Sequence, residues 1–312
     1  MHDDSVVMET IRRTDSKYAL DSRHEAVARV KADESFVVET HDCRTGTITR
    51  PDQVGDLLDA RFVNPASGPI AIDGVTAGDT ICVEIEELHV DSRRGLMVSR
   101  PGLPSLALSD EPQLRIVTCD DSYADVGSFR VPVTPMIGVL GVAPAGDPVS
   151  TFRGGEHGGN MDTLIIGAGS RVFLPTFVDG GMVYFGDVHA AMGDGEIFLS
   201  GIEIAGRIQA RVTVVSEWSL PTPLVETADL VAVVAAGSTF DEAAKAAMAK
   251  AVEVLAAGGM DRIDAAFLMS AAGHLRVCQY LPLAGLVHCR FELPKSVLTL
   301  NQIKLPGLRP AI

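Results

Sequence analysis

The sequence is poor in aromatic and in basic residues. Phe, Trp and Tyr make up 5% of its 312 residues, whereas it holds 30 glycines and 17 prolines, which favours many turns and short strands over a helical bundle. Lys and Arg number 26 against 41 Asp and Glu, for a net charge of −15. Because phosphate binding needs clustered basic side chains, this balance argues against nucleic acid as a partner and favours a small neutral ligand.

Cysteines are also few, and long apolar runs are missing. The five cysteines are odd in number and form no C-x-x-C pair, which favours reduced, mostly buried thiols over a disulfide framework. The N-terminus lacks the apolar segment of a signal peptide, and no apolar run approaches the roughly 20 residues that span a bilayer. We therefore expect a cytoplasmic protein that does not bind membranes.

Alternating apolar and polar residues predict a β-rich body over residues 36–220. Apolar residues occupy every second position in stretches such as 208–214, the pattern of a half-buried strand. The turn Asp179-Gly180 predicts a hairpin between residues 172–178 and 181–189. Many short strands separated by Gly and Pro turns are typical of a sandwich or barrel. Residues 1–35 form an N-terminal segment to which the sequence assigns no role.

The composition changes at Pro221-Thr222-Pro223, which predicts a separate α+β domain over residues 221–312. Its predicted elements are a helix opened by the capping box Thr239–Glu242, a helix over 262–272 capped by Asp261, and a strand pair formed by 276–281 and 286–293.

Asp187 and His189 lie two residues apart in a stretch that is predicted to be extended. Side chains at this spacing on a strand share a face, so both can reach one ion at roughly 2.0–2.2 Å. Zinc suits a mixed set of nitrogen and oxygen ligands, and manganese or iron is the alternative. The structural interpretation is a simple hydrogen bond between the two side chains at the surface.

A glycine-rich segment contributes a second histidine and a second carboxylate. His157 lies between two glycine pairs, and Asn160 and Asp162 follow it. Ordering so flexible a loop costs entropy, and ligation of a metal by His157 or Asp162 would offset that cost. The alternative is a glycine-rich surface turn in which Asp162 caps the structure that follows.

Two further carboxylates, Glu196 and Glu203, follow these segments. Glu203 lies between two isoleucines, so it faces either solvent on an amphipathic strand or the interior. A carboxylate withdrawn from water has a raised pKa and suits general-base work near neutral pH. Cys43 and Cys278 are candidate nucleophiles, but no spacing pairs either with a base, which favours core thiols.

The segments His-Gly-Gly-Asn-Met-Asp (157–162) and Asp-Val-His-Ala-Ala with Gly-Asp-Gly-Glu (187–196) resemble the acetamidase/formamidase family. Shorter matching stretches lie at 64–70, 77–80, 135–138, 201–203 and 275–277, so that the resemblance extends from about residue 36 to Pro294.

This resemblance implies a mainly β, jelly-roll-like or β-sandwich-like body followed by the α+β C-terminal part. It also implies hydrolysis of short neutral amides such as formamide and acetamide, a divalent metal and a homo-oligomer, commonly a dimer. Carried onto this chain, it makes His157, Asp162, Asp187 and His189 the metal ligands or their close support. Glu203 becomes the candidate general base.

The predicted mechanism is metal-assisted amide hydrolysis, with zinc as the expected ion and calcium or manganese as alternatives. Glu203 would move the proton of the attacking water, and Gly158, Gly159 and Asn160 would bind the substrate, the glycines through their backbone N–H groups. Three alternatives stay open: an enzyme that hydrolyses lactams, an amidase that uses Cys43 or Cys278 as nucleophile, and a non-catalytic sandwich module that binds Ca²⁺.

Overall fold

Strands make up most of the secondary structure in this computed structural model, which describes residues 8–58, 62–91, 93–103, 106, 108–215 and 218–310. The strands are β1 (Thr10–Ile11), β2 (Ser16–Lys17), β3 (Ala19–Leu20), β4 (Ala28–Lys31), β5 (Ser35–Thr40), β6 (Ala66–Asp73), β7 (Thr80–Val90), β8 (Arg94–Ser99), β9 (Gln113–Cys119), β10 (Tyr123–Asp125), β11 (Arg130–Pro132), β12 (Met136–Val142), β13 (Val149–Ser150), β14 (Gly154–Gly155), β15 (Gly158–Asn160), β16 (Arg171–Pro175), β17 (Val183–His189), β18 (Gly206–Val215), β19 (Leu224–Glu226), β20 (Leu230–Gly237), β21 (His274–Leu281) and β22 (Leu286–Pro294). The α-helices are α1 (Phe240–Ala257), α2 (Arg262–Ala272) and α3 (Lys295–Leu300), and 3-10 helices span Arg13–Asp15, Pro51–Leu58 and Pro282–Ala284.

Nine strands form the main sheet, in the order β1-β5-β18-β7-β16-β19-β20-β22-β21. A second sheet has the order β14-β15-β12-β17-β6-β2, with β4 parallel to β6, and β8 to β11 form a smaller antiparallel sheet. The predicted alternation is confirmed over residues 208–212, because Ile208, Ala210 and Val212 of β18 are fully buried, whereas Val214 is only half-buried.

The largest core lies between the main sheet and the second sheet. Apolar side chains of β7 and β18 meet those of β12 and β17, and the rings of Phe36 and Phe185 pack edge to face at 6.1 Å. All seven residues of β17 are buried, including Asp187 and His189. The site residues of this strand therefore lie inside the core and not at the surface.

A second core covers the other half of the main sheet. Helices α1 and α2 pack on β20 and β22 through Ala247, Leu255 and Met269, against Phe173 and Phe291.

The helix predictions for the C-terminal part are confirmed. Thr239 accepts a hydrogen bond from the backbone N–H of Glu242 at the start of α1, and Asp261 accepts from Ile263 and Asp264 at the start of α2. The predicted strand pair is present as β21 and β22. A mainly β chain with an α+β C-terminal part is therefore confirmed, while its jelly-roll connectivity stays a prediction.

The hairpin predicted around Asp179-Gly180 is wrong. β16 pairs with β7 and β19 in the main sheet, whereas β17 pairs with β12 and β6 in the second sheet. Gly180, Gly181 and Met182 all have positive φ angles of 79°, 66° and 55°. This connection carries the chain from one sheet to the other, which a two-residue type I′ turn cannot do.

The main sheet continues across the predicted domain boundary at residues 220 and 221, because β16 and β19 are neighbours. The division into residues 1–35, 36–220 and 221–312 stays a prediction. Among the described residues, the helices are too short or too polar to cross a membrane.

Candidate active site

Three segments converge at the end of β17. Asp187 and His189 close that strand, Asp162 follows β15, and β15 and β17 both pair with β12. Glu203 forms isolated bridges with Leu96 and His189, which bring its backbone against the end of β17. Residues far apart in the sequence are therefore placed side by side by sheet pairing alone.

The side chains of these residues meet around His189. Its Nε2 lies 3.2 Å from Oε2 of Glu203 and 3.8 Å from Oδ1 of Asp187. Two sets of donor atoms, each within 4.8 Å of one another, share this imidazole: Asp187, His189 and Glu203, and Asp162, His189 and Glu196. We call these five residues the carboxylate cluster. Its spacing matches what a divalent cation needs.

Several atoms of the carboxylate cluster are buried without a hydrogen-bond partner among the described residues. They are Oδ1 of Asp162, Oδ1 of Asp187, both ring nitrogens of His189 and Oε2 of Glu203. Buried polar atoms are normally satisfied, and leaving several together unsatisfied is costly. A bound cation would satisfy the oxygens of Asp162 and Asp187 and one ring nitrogen of His189 together, so the donor set fits a divalent metal.

Amide side chains hold the other oxygens of the cluster. Asn64 Nδ2 donates to Oδ2 of Asp187 at 2.5 Å, and Asn160 Nδ2 donates to Oδ2 of Asp162 at 2.7 Å. Gln279 Nε2 donates to Oδ2 of Asp162 and to Oε2 of Glu196. Each of these carboxylates therefore has one oxygen fixed by a neutral donor.

The backbone of the site is strained. Asn64, Asp162, Asp187 and Glu196 have φ angles of 54°, 38°, 56° and 41°, in the left-handed region that favours glycine. Gly138 of β12 lies directly against them, because a Cβ there would clash with Oδ1 of Asp162. The fold thus tolerates unfavourable conformations in order to aim these side chains inward.

Burial dominates the electrostatics of the cluster. It raises the pKa of Asp162 to about 7, with a further contribution from Asp187, and raises the pKa of Asp187 to about 7, with a contribution from Glu203. Burial alone would lower the pKa of His189, but Glu203 and Asp187 raise that pKa well above its usual value. Burial and Asp162 raise the pKa of Glu196 well above its usual range. Negative charge is therefore unfavourable here until a cation compensates it.

A small cavity of about 30 Å³ opens above the carboxylate cluster. Its walls include cluster residues, the amides that hold them, two arginines and several apolar side chains, namely Asp162, Asp187, Glu196, Glu203, Asn64, Asn160, Gln279, Arg44, Arg100, Cys43, Val63, Val98, Phe152 and Leu199. This volume accommodates roughly two water molecules.

Of the predicted site residues, the structure brings together Asp162, Asp187, His189, Glu203 and Asn160. His157 stands apart from them and is absent from both sets of metal donors. Its imidazole lies against Gly155 and Gly159. Its predicted part as a ligand of the same ion is not supported by this geometry.

Gly158 and Gly159 do not line the cavity. They lie in β15, between β12 and β14, so sheet pairing occupies the segment that was predicted to hold the substrate. Their φ angles are 80° and 82°, and both approach neighbouring backbone closely, since a Cβ would clash with the carbonyl oxygen of Leu140 at Gly158 and with that of Arg153 at Gly159.

The cysteines offer no activated thiol. All five are free and buried. Burial, reinforced by Glu203, raises the pKa of Cys43 well above its usual value, and burial raises the pKa of Cys278 to about 11. A nucleophilic cysteine needs a lowered pKa, so these environments argue against the cysteine-dependent alternative.

Asn64 and Gln279 were missed by the sequence analysis, and Glu196 was given no role. Each adjoins a segment that carried the family resemblance: Asn64 begins the stretch 64–70, Glu196 ends 187–196, and Gln279 follows 275–277. Neutral amides have no charge or motif that distinguishes a site residue from a surface one.

Known proteins match this chain along most of its length. The model of the acetamidase/formamidase family matches residues 20–154 and 145–301. A formamidase of Methylophilus methylotrophus is 26% identical over 253 residues, and an acetamidase of Mycolicibacterium smegmatis is 26% identical over 257 residues. Each match covers 61% of this chain. These matches cover 62% and 63% of the two relatives, so the chain spans somewhat less than two thirds of their length.

Solved structures share the whole fold. The crystal structure of an acetamidase from Bacillus halodurans superposes with a TM-score of 0.89 at 33% identity, over 95% of this chain and 100% of that one. A recombinant predicted acetamidase/formamidase from Thermoanaerobacter tengcongensis gives a TM-score of 0.91 at 32% identity, over 96% and 99%.

Proposed function

The chain belongs to the acetamidase/formamidase family, and on that premise we propose that it hydrolyses the C–N bond of short linear amides to a carboxylate and ammonia. The observation that carries the proposal is the buried carboxylate cluster around His189, whose unsatisfied atoms lie beneath a cavity. The cavity is small, which favours a small substrate over a large one.

We propose that Asp162, Asp187, His189 and Glu196 hold a divalent ion, with Glu203 beside it and free to move a proton. A nitrogen ligand among oxygen ligands supports zinc, with manganese as the alternative, and speaks against a calcium module, which uses oxygen ligands. When bound, such an ion polarises a carbonyl and makes water more acidic.

Side chains of the protein transfer the proton and hold the carboxylates in position. Glu203 takes the proton of the attacking water and returns it to the departing nitrogen, which amides require because their nitrogen is a poor leaving group. Asn64, Asn160 and Gln279 keep the carboxylates in place while charge moves. Burial excludes bulk water and strengthens each of these interactions.

Metal removal tests this mechanism. We expect purified protein to release ammonia from formamide and acetamide, to lose this activity on chelation, and to regain it with zinc or manganese, with bound metal measured by elemental analysis. Cys43→Ser is the control and should retain activity. Full activity of the metal-free protein would contradict the metal, and no ammonia from any short amide would contradict the amidase function.

A cytoplasmic location and assembly into a homo-oligomer, commonly a dimer, belong to the same proposal. Size-exclusion chromatography with light scattering measures the second of these directly.

A further inference from the structure

The side-chain amide of Gln279 has two ends with different surroundings. Its Nε2 donates to Oε2 of Glu196 at 2.8 Å and also to Oδ2 of Asp162. With a cation bound, both carboxylates are ionised and their oxygens only accept hydrogen bonds, so the nitrogen is the end that faces them and the neighbours fix the orientation of the amide. The carbonyl oxygen Oε1 is therefore the end left for another partner.

Oε1 of Gln279 is buried and has no hydrogen-bond partner among the described residues. The residue is 2% exposed, and it lines the cavity above the carboxylate cluster. A buried carbonyl without a donor costs roughly 1–3 kcal/mol. A donor brought into the cavity by a ligand would remove that cost.

The backbone holds Gln279 in this place. The pairing of β21 with β22 shifts register between Val277 and Gln279, and such bulges redirect side chains. On either side, Cys278 O accepts from Gly195 N and Tyr280 N donates to Gly195 O, both at 2.8 Å. The backbone at Gln279 is thus fixed to the loop that carries Glu196, and the amide is held by its own hydrogen bonds to Asp162 and Glu196.

We propose that Oε1 of Gln279 accepts a hydrogen bond from the N–H of the substrate amide, and that the site therefore selects amides with at least one N–H group. The inference rests on the proposed amide hydrolysis and deepens it. A site built around such an acceptor discriminates against analogues that lack the donor, because the acceptor then stays buried and unpaired.

N-methylformamide and methyl formate test the proposal, because they have nearly the same size and differ by an N–H in place of an ester oxygen. The variants are Gln279→Met, which keeps the length of the side chain but cannot accept, and Gln209→Met, a control at a glutamine that contacts Glu86 far from the cavity. Formate release gives kcat/KM for both compounds with the metal-loaded enzyme, and ligand-observed NMR gives their binding.

In Gln279→Met, we expect kcat/KM for N-methylformamide to fall about tenfold to a hundredfold more than kcat/KM for methyl formate. When the amide-to-ester ratio of the variant is divided by that of the wild type, the intrinsic reactivity of the two compounds and any general disturbance of the site cancel. In Gln209→Met the ratio should equal that of the wild type.

An equal loss for the amide and the ester would overturn the hydrogen bond while leaving amide hydrolysis in place. If the wild type hydrolyses no amide, the proposed function falls, and binding decides the inference. Tighter binding of N-methylformamide than of methyl formate by the wild type then supports N–H recognition, and equal binding of the two overturns it. The same comparison decides the matter if Gln279→Met does not fold.

Discussion

The backbone of Glu203 is hydrogen-bonded to that of Leu96. Its N–H donates to Leu96 O and its carbonyl accepts from Leu96 N, both at 2.9 Å, and Gly95 leaves room for this close approach. The side chain is 5% exposed, and its Oε2 is unsatisfied at the side of His189. An anchored but unsatisfied carboxylate suits repeated proton transfer.

Substitution of Glu203 by Gln should lower kcat for formamide roughly 100-fold or more, because glutamine cannot take up a proton. The shape of the side chain is kept, so the unfolding midpoint should change little. Steady-state kinetics and thermal unfolding measure the two effects. Glu87→Gln, at an exposed position, is the control, and a kcat for Glu203→Gln within a factor of three of the wild type would exclude the assigned role.

His157 and His288 form a second buried group, separate from the carboxylate cluster. Burial lowers the pKa of each to about 4, with Glu156 opposing the shift at His157 and the neighbouring His157 adding to it at His288. Both ring nitrogens of His288 lack a hydrogen-bond partner among the described residues. Both imidazoles are therefore neutral in the folded protein at neutral pH.

Acid should destabilise the protein through these imidazoles. In the unfolded chain each binds a proton near pH 6.5, whereas in the folded protein each does so only near pH 4. The unfolded state thus gains protons as the pH falls through this window, and the free energy of unfolding decreases.

His288→Leu should make that dependence shallower by about 1 kcal/mol per pH unit between pH 6 and 5, because the proton that this histidine binds in the unfolded chain drops out of the difference. Urea unfolding at several pH values measures the slope. His89→Gln removes an exposed histidine and should leave it unchanged. An unaltered slope in His288→Leu would show that this side chain does not titrate on unfolding.

At the scale of elements, the C-terminal strand pair braces the loop that carries Glu196. Arg290 of β22 makes a bidentate ion pair with Asp194, at 2.6 and 2.7 Å, and donates from Nε to Glu292 at 2.6 Å. Arg290 is 3% exposed, and it also reaches Thr163, the residue after Asp162. One guanidinium thus ties together the segments that bear two carboxylates of the cluster.

Asp194→Asn and Glu292→Gln form a matched pair, since each removes one charged partner of Arg290. We expect Asp194→Asn to lower kcat for formamide about tenfold, because misplacement of catalytic groups is costly in rate. Glu292→Gln should leave kcat close to that of the wild type, although both variants lose stability. Kinetics at a temperature where both variants are folded separates the change in kcat from the change in stability. Equal kcat values for the two variants would contradict the role of the Arg290–Asp194 ion pair in positioning the loop.

Residue patterns predicted the elements better than the site. The caps at Thr239 and Asp261 are local, so the helices followed from a few neighbouring residues. Asp187 and His189 were found because an i, i+2 spacing on a strand is also local. Gln279 lies 117 residues from its partner Asp162, and only the pairing of β21 with the loop at Gly195 brings them together. Such contacts leave no periodic trace in the sequence.

At the scale of the whole molecule, the two parts of the chain share one sheet and one site. β19 continues the main sheet beyond β16, and Phe173 and Trp218 pack in the core that α1 and α2 complete. Gln279 and Arg290, which support the carboxylate cluster, both come from residues beyond 220.

A chain that ends at residue 220 should therefore not fold on its own. It would expose the apolar face that α1 and α2 cover and leave β16 as an unprotected edge. Far-UV circular dichroism and thermal unfolding of this fragment, beside the full chain, measure the effect. A sharp, cooperative unfolding transition in the fragment would contradict this expectation and would support the predicted boundary as a division between independently folding units.

At Asn64, Asp162, Asp187 and Glu196, the side chains that the proposed activity needs lower the stability of the fold, because their backbone is left-handed. Each of these residues lowers the free energy of unfolding by about 1 kcal/mol relative to glycine. A descendant of this protein freed from selection for catalysis would gain robustness by acquiring glycines at these four positions. Retention of these four residues in a related sequence would then indicate that catalysis is still selected, and glycine at these positions would indicate that it is not.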